Sequence, residues 1–214
     1  MGKTFRFLAA HEMARALGPE KTQALPMFHA LTGCDTVSCF AGHGKRTAWA
    51  VWTALPEVTQ ALIDLSSALI HVDEDTMQTI ERFVVLLYDR ISTSNDVNKA
   101  RCKLFAKKGN VELIPPTSAA LKQHVRRAVY QGGQMWGQAL VPAPALPSPS
   151  DWGWSSTSDQ MYEPYWTTLP EASKVCQELI SCTCKKGCTK RCKCKKAKLE
   201  CTALCDCGGE CLDN

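Results

Sequence analysis

Residues 182–211, CTCKKGCTKRCKCKKAKLECTALCDCGGEC, carry nine cysteines in the order C-x-C-x3-C-x3-C-x-C-x6-C-x3-C-x-C-x3-C. They are Cys182, Cys184, Cys188, Cys192, Cys194, Cys201, Cys205, Cys207 and Cys211. Between and beside them stand Lys185, Lys186, Lys190, Arg191, Lys193, Lys195, Lys196 and Lys198. Leu199 and Leu204 are the only strongly apolar side chains besides the cysteines, so this segment cannot build a core. A bound metal must then supply its folding free energy. The globular core of the chain has to lie upstream, in the residues that carry apolar periodicity.

Soft thiolates at this density suit zinc, whose structural sites are tetrahedral and rich in sulfur. The alternative is a disulfide framework of the kind found in small secreted scaffolds. The N-terminus, MGKTFRFLAAHEMARALG, reads as no signal peptide, since it lacks a sustained apolar stretch and a small-residue cleavage site. No apolar run approaches the roughly 18 to 20 residues that span a bilayer. The odd count and the lysine-flanked C-x-C pairs also argue against disulfides. A reducing compartment and zinc are therefore expected, with no secretion and no membrane anchoring. Three separate tetrahedral sites would need more ligands than nine cysteines provide. Three bridging thiolates would close the gap in a three-zinc cluster. Two mononuclear sites with a spare thiol, or recruitment of Cys176 as a further ligand, are the alternatives. Cys176 lies in EASKVCQELI, which reads as a short helix and makes it a structural cysteine.

This pattern resembles the tesmin-type CXC domain, a cysteine-rich module of chromatin and DNA-binding proteins, over about the last 30 residues of the chain. The two C-x-C clusters and the C-x3-C and C-x6-C spacings match at all nine cysteines, with one or two spacings differing by a residue. The resemblance implies a three-zinc cluster and DNA contact through the basic loop after the first C-x-C, drawing on Lys185, Lys186, Lys190, Arg191, Lys193, Lys195 and Lys196. Many DNA-reading members carry tyrosine just before the fourth cysteine, where Arg191 stands here. Arginine also enters narrow minor grooves, but a sequence preference does not carry over. The chain has one CXC copy where several members have two.

At 214 residues the chain holds one ordinary domain and a small one. A net charge of +4 conceals an asymmetry, because the basic excess concentrates near the C-terminus. That basic run points to DNA, with chromatin proteins as further partners, and to a nuclear location. Of the remaining cysteines, Cys34, Cys39 and Cys102 sit in apolar or helical surroundings and read as buried thiols.

The expected architecture is mainly α. Residues 1–141 form a helical region, 142–173 a Pro/aromatic linker, and 174–214 a small irregular zinc-binding domain. HEMARALG places Met13, Ala14 and Leu17 on one helical face and stops at Gly18-Pro19. LPMFHALTGC reads as a short helix ending at Gly33, and TAWAVWTAL as another halted before Pro56. PEVTQALIDLSSALI, TMQTIERFVVLLYDRIS and NDVNKARCKLFAKKG follow with helical spacing. TSAALKQHVRRAVYQGGQMWGQAL makes a last long helix, with Thr117 or Ser118 as N-cap and Gly132-Gly133 permitting a bend. VPAPALPSPS is proline-rich linker, and the aromatics of DWGWSSTSDQMYEPYWTTLP are expected to pack it onto a neighbouring surface.

Residues 5–52 show a second resemblance, to flap-endonuclease and PIN-like nucleases where the catalytic core runs into a helix-turn-helix DNA clamp. It rests on Leu17-Gly18, Leu31, Gly33-Cys34-Asp35, Gly42, Gly44, Lys45 and Ala48. Asp35 follows a helix end and a glycine, so its carboxylate could face a cleft and hold Mg²⁺ or Mn²⁺ in a complete nuclease core. Gly42-His43-Gly44-Lys45 before a helix offers backbone N–H groups and cations, with Arg46, to a phosphate. The plainer reading is that the glycines shape a turn and Asp35 is an N-cap. Two-metal cleavage needs several converging carboxylates, and only Glu12 and Glu20 precede Asp35. The stretch therefore reads as the end of a larger nuclease-like protein, of mobile-element origin, and no nuclease activity is expected of these residues alone. His124 with Arg126 and Arg127 reads as a solvated helix face, while His29 and His43 belong to packing and turn structure.

Three functions follow. The first is a zinc-dependent DNA- or chromatin-binding protein. The second is a subunit or fragment of a metal-dependent nuclease that uses Asp35. The third is a protein-interaction scaffold in which lysines offset a formally trianionic zinc knot.

Overall fold

The computed structural model describes residues 8–108, 113–159, 161–167, 181–184, 188–189, 191–196, 200–201 and 205–207. Of the described residues 57% are helical and 5% extended, so the mainly α expectation holds. Seven helices come first: α1 Ala10–Leu17, α2 Pro19–Leu31, α3 Lys45–Ala54, α4 Val58–Ser67, α5 Glu74–Tyr88, α6 Val97–Lys108 and α7 Ser118–Val129. A π-helical turn, Tyr130–Met135, and a 3-10 turn, Trp136–Gln138, extend α7. A second 3-10 turn, Pro149–Trp152, precedes strands β1 Trp154–Ser156 and β2 Tyr162–Pro164, and α8 is Lys193–Lys196. No described helix is long and apolar enough to cross a membrane.

The central element is α2, which packs on α4, α7 and the π-helical turn and buries Ala24, Met27, Phe28, Ala30 and Leu31. It is longer than LPMFHALTGC alone predicts. Gly18, at φ 78°, ends α1, but Pro19 then occupies the first turn of α2, where its missing N–H costs nothing. Thr22 ties the two helices, donating Oγ1 to Gly18 O at 2.6 Å and to Ala14 O at 3.0 Å. The expected apolar face of α1 does not reach the core: Met13 is exposed and no α1 residue is buried.

Trp52 anchors the aromatic part of the core. Its ring stacks on Phe28 at 4.7 Å, Trp49 meets both rings edge-on, and its Nε1–H donates to Thr59 Oγ1 at 2.9 Å. Burial of such a ring with its polar atom satisfied is among the largest single contributions a core residue makes. Asp73 caps α5 by accepting from Thr76 N and Oγ1, and these bonds hold its carboxyl below the ordinary range. Thr117 caps α7 through Ala120 N, as the sequence suggests.

Gly132 and Gly133 do more than permit a bend. A methyl group on Gly132 would stand 3.0 Å from Met27 Cε, and one on Gly133 2.9 Å from Ser66 O. The π-helical turn is thus laid directly against α2 and α4, and Gln134 Nε2 donates to Ala68 O at 2.8 Å. The expected linker also carries order that its composition does not announce. Strands β1 and β2 pair antiparallel, Trp154 opposite Pro164. Trp152 is buried beside α7, where Arg127 donates to Gly153 O, so one aromatic anchors as predicted; Tyr162, Tyr165 and Trp166 stay largely exposed.

Two further expectations change. Cys39 is exposed, and Cys34 and Cys102 are half-buried, because these thiols lie at loop and helix edges and not on core faces. His124 and Arg127 are buried, not solvated; only Arg126 of the trio faces solvent. Cys176 and its short helix lie outside the described residues.

Candidate metal centre

The first C-x-C pair, Cys182 and Cys184, and the third, Cys205 and Cys207, are joined by hydrogen bonds. Asp206 N donates to Cys182 O at 2.9 Å, and Cys182 N approaches Cys205 Sγ at 3.4 Å. Between them the chain turns at Thr189, where Cys192 N bonds Thr189 O, and enters α8, where Lys196 N bonds Cys192 O. These few bonds return the cysteines to one place from positions up to 25 residues apart.

Their sulfurs form three overlapping quartets, in each of which all Sγ atoms lie within 4.8 Å of one another. The first is Cys182, Cys184, Cys188 and Cys192; the second Cys182, Cys188, Cys201 and Cys207; the third Cys182, Cys194, Cys201 and Cys205. A zinc tetrahedron with Zn–S of about 2.3 Å has edges of about 3.8 Å. The observed separations match: Cys182–Cys188 3.6 Å, Cys182–Cys201 3.8 Å, Cys188–Cys201 3.5 Å, Cys188–Cys207 3.8 Å and Cys194–Cys205 3.6 Å. The donor set therefore fits a thiophilic, tetrahedral ion, and this cysteine cluster is able to hold zinc. Eight of the nine predicted ligands fall in these quartets; Cys211 lies outside the described residues.

Without a cation such a cluster resists ionisation. Burial pushes the Cys182 thiol up to about 12 and, with the neighbouring Cys205 thiol, the Cys194 thiol to about 11. Cys201 shifts upward as well, through burial and then its contacts with Cys188, Cys207 and Cys182. Cys192 moves the other way, to about 6: burial is the largest single effect and opposes ionisation, but hydrogen bonds from the Lys195 backbone N–H, the Cys188 and Cys182 thiols and the Cys194 backbone N–H together outweigh it. Binding of a metal must displace the protons of the raised thiols.

Of the predicted basic contacts, Arg191, Lys193 and Lys196 are exposed and Lys195 is half-buried. Lys185, Lys186 and Lys190 lie outside the described residues.

The Gly42–Arg46 turn leads directly into α3. Gly42 has φ 75° and Gly44 caps α3, as a tight turn before a helix requires. Lys45 is exposed, but its Nζ is turned back onto the end of α2. Its Nζ donates to Gly33 O at 2.6 Å, His29 O at 3.0 Å and Thr32 Oγ1 at 3.0 Å, so its three N–H bonds serve the C-terminal end of α2. Gly42, Gly44 and Arg46 are exposed. Asp35 is exposed on the loop between α2 and α3, and no metal-holding group among the described residues includes it. Glu12 and Glu20 are likewise exposed.

Sequence reasoning missed the buried pair His124 and Arg127. The signal was present: Leu121, His124, Val125 and Ala128 occupy one helical face at i, i+3, i+4 and i+7, and all four are buried. No protein-family model matches the chain, and no curated protein or solved structure is significantly similar to it.

Proposed function

We propose that residues 182–211 fold around three zinc ions and present a basic surface to DNA, in the manner of the CXC domains that the segment resembles. The observation that carries this reading is the sharing of sulfurs between the quartets: Cys182, Cys188 and Cys201 each belong to more than one. If these three thiolates each bridge two ions, every zinc gains two bridging ligands. The terminal pairs are then Cys184 with Cys192, Cys194 with Cys205, and Cys207 with Cys211. All positions are filled, so the metal has no open coordination site and its role is structural, not catalytic.

The cluster would be formally trianionic, and part of the basic run offsets it. The charges are segregated, however. Residues 185–198 hold eight Lys or Arg and no acid, while Glu200, Asp206, Glu210 and Asp213 follow. A polyanion would thus meet the early half of the segment, with Arg191 available to a narrow minor groove. Chromatin association and a nuclear location follow from this reading, and imaging of the tagged protein tests the latter. The test of the function itself is fluorescence anisotropy of the zinc-loaded protein against random duplex DNA across a salt series. Affinity should fall linearly on a log–log plot, by roughly 0.9 per neutralised phosphate, and vanish with chelator. Absence of binding at low salt would leave the cluster a protein-docking knot.

A further inference from the structure

A cleft of about 500 Å³ opens in the helical region, with none of the clustered C-terminal cysteines in its lining. Tyr88 of α5, Arg101 of α6 and Arg127 of α7 line it, together with the loop around Cys39, residues 114–117, and the segment after β2. Its volume lies within the range of small-molecule sites. No Asp or Glu is among the described residues that line it.

The two guanidiniums make this composition notable. Arg101 and Arg127 are 9% and 7% exposed, so both charges are largely out of water. Arg101 donates to Pro115 O. Arg127 donates Nη1 to Gly153 O at 3.0 Å and lies 6.0 Å over the Trp154 ring, and among the described residues no carboxylate forms an ion pair with it. Burying a cation costs several kcal/mol unless an anion or a full set of acceptors compensates it. For Arg127, a carbonyl and a ring provide only part of that compensation. An anion entering the cleft would supply the rest, through charge-assisted hydrogen bonds suited to the planar guanidinium fork.

The segment after β2, which Tyr165 N ties to the same Gly153 carbonyl at 2.9 Å, has a different character. Tyr165 and Trp166 line the cleft yet remain 52% and 72% exposed, and among the described residues no other ring packs on either of them. Exposed aromatic faces stack planar rings. We propose that the cleft binds a small phosphorylated ring compound, its phosphate facing Arg101 and Arg127 and its ring against Tyr165 and Trp166. The cleft does not depend on the metal cluster, and the proposal stands apart from DNA binding.

The test is isothermal titration of the full chain with adenosine 5′-monophosphate, adenosine and inorganic phosphate, at low ionic strength. Saturable binding of the monophosphate is expected, with phosphate competing weakly and adenosine failing to bind. Arg127→Met should weaken the monophosphate roughly tenfold or more. Because Arg127 also holds Gly153, circular dichroism must show that variant folded; Trp166→Ala, at an exposed position, provides an independent arm with an expected loss of roughly fivefold or more. Equal affinity for adenosine and its monophosphate would overturn the proposal, as would no binding of the monophosphate. Binding untouched by both variants would place the ligand elsewhere, on the basic C-terminal segment, and would overturn it too.

Discussion

His124 makes the helical region acid-sensitive by a calculable amount. Its ring is 6% exposed, packed at 4.9 Å from Phe40. Nε2 lies 2.8 Å from Leu31 O, which can only accept, so Nε2 carries the proton; Nδ1 then accepts from Ser38 Oγ at 3.3 Å. Burial, opposed by the Leu31 bond and aided by the Arg127 charge, lowers the imidazole from 6.5 to about 4. The native state therefore takes up the proton later than the unfolded chain. Between those values the unfolded state binds more protons, so stability is full above pH 6.5 and is lost as pH falls toward 4. At 1.36 kcal/mol per unit, the loss by pH 4.5 is roughly 2 to 3 kcal/mol. Urea unfolding followed by tryptophan fluorescence measures it, because every tryptophan lies upstream of the cysteine segment. His124→Gln keeps a donor for Leu31 O and removes the titration. Between pH 7 and 4.5 the wild-type midpoint should fall about 1 M further than that of the variant. Identical pH dependence in the two proteins, or a His124 resonance titrating near 6.5, would refute the reasoning.

Other consequences are equally specific. Gly33, at φ 106°, would place a methyl group 2.7 Å from Cys39 Cβ; Gly33→Ala should destabilise by roughly 1 to 3 kcal/mol in the same urea assay. Lys45→Ala removes the cation and donors at the end of α2, and should cost about 1 to 2 kcal/mol with DNA affinity unchanged. Unchanged stability with weakened DNA binding would instead return Lys45 to a phosphate-contacting role. Chelation should leave the tryptophan-reported unfolding midpoint within error while exposing the cysteine segment to protease; a large shift in that midpoint would contradict the separation of metal-dependent and core-dependent folding.

Much of this was legible from the residues. Helical periodicity located α3 through α7 within a few positions, because Gly44, Pro56, Asp73 and Thr117 punctuate them with side-chain or backbone chemistry that acts locally. The start of α2 was hidden, since Gly18-Pro19 ends one helix and begins the next with the same two residues. The β1–β2 hairpin was hidden too: three-residue strands in a polar, proline-rich stretch lack an alternating signal. For the site, soft-ligand spacing points to the cysteines, and the structure brings eight of them into overlapping groups whose sulfurs lie within 4.8 Å. Lys45 misled because a lysine after glycines looks the same whether it meets a phosphate or the carbonyls of a neighbouring helix. His124 and Arg127 were misread because their charge suggested solvent while their helical position belonged to the core face.

The central claim is a polynuclear metal cluster built on shared thiolates, and native mass spectrometry of the zinc-loaded protein tests it most directly. Three zinc ions per chain are predicted, with Cys201→Ser losing metal because it removes a sulfur that belongs to two quartets. A fully loaded wild-type protein holding two zinc ions, or one, would contradict bridging and return the segment to independent tetrahedral sites.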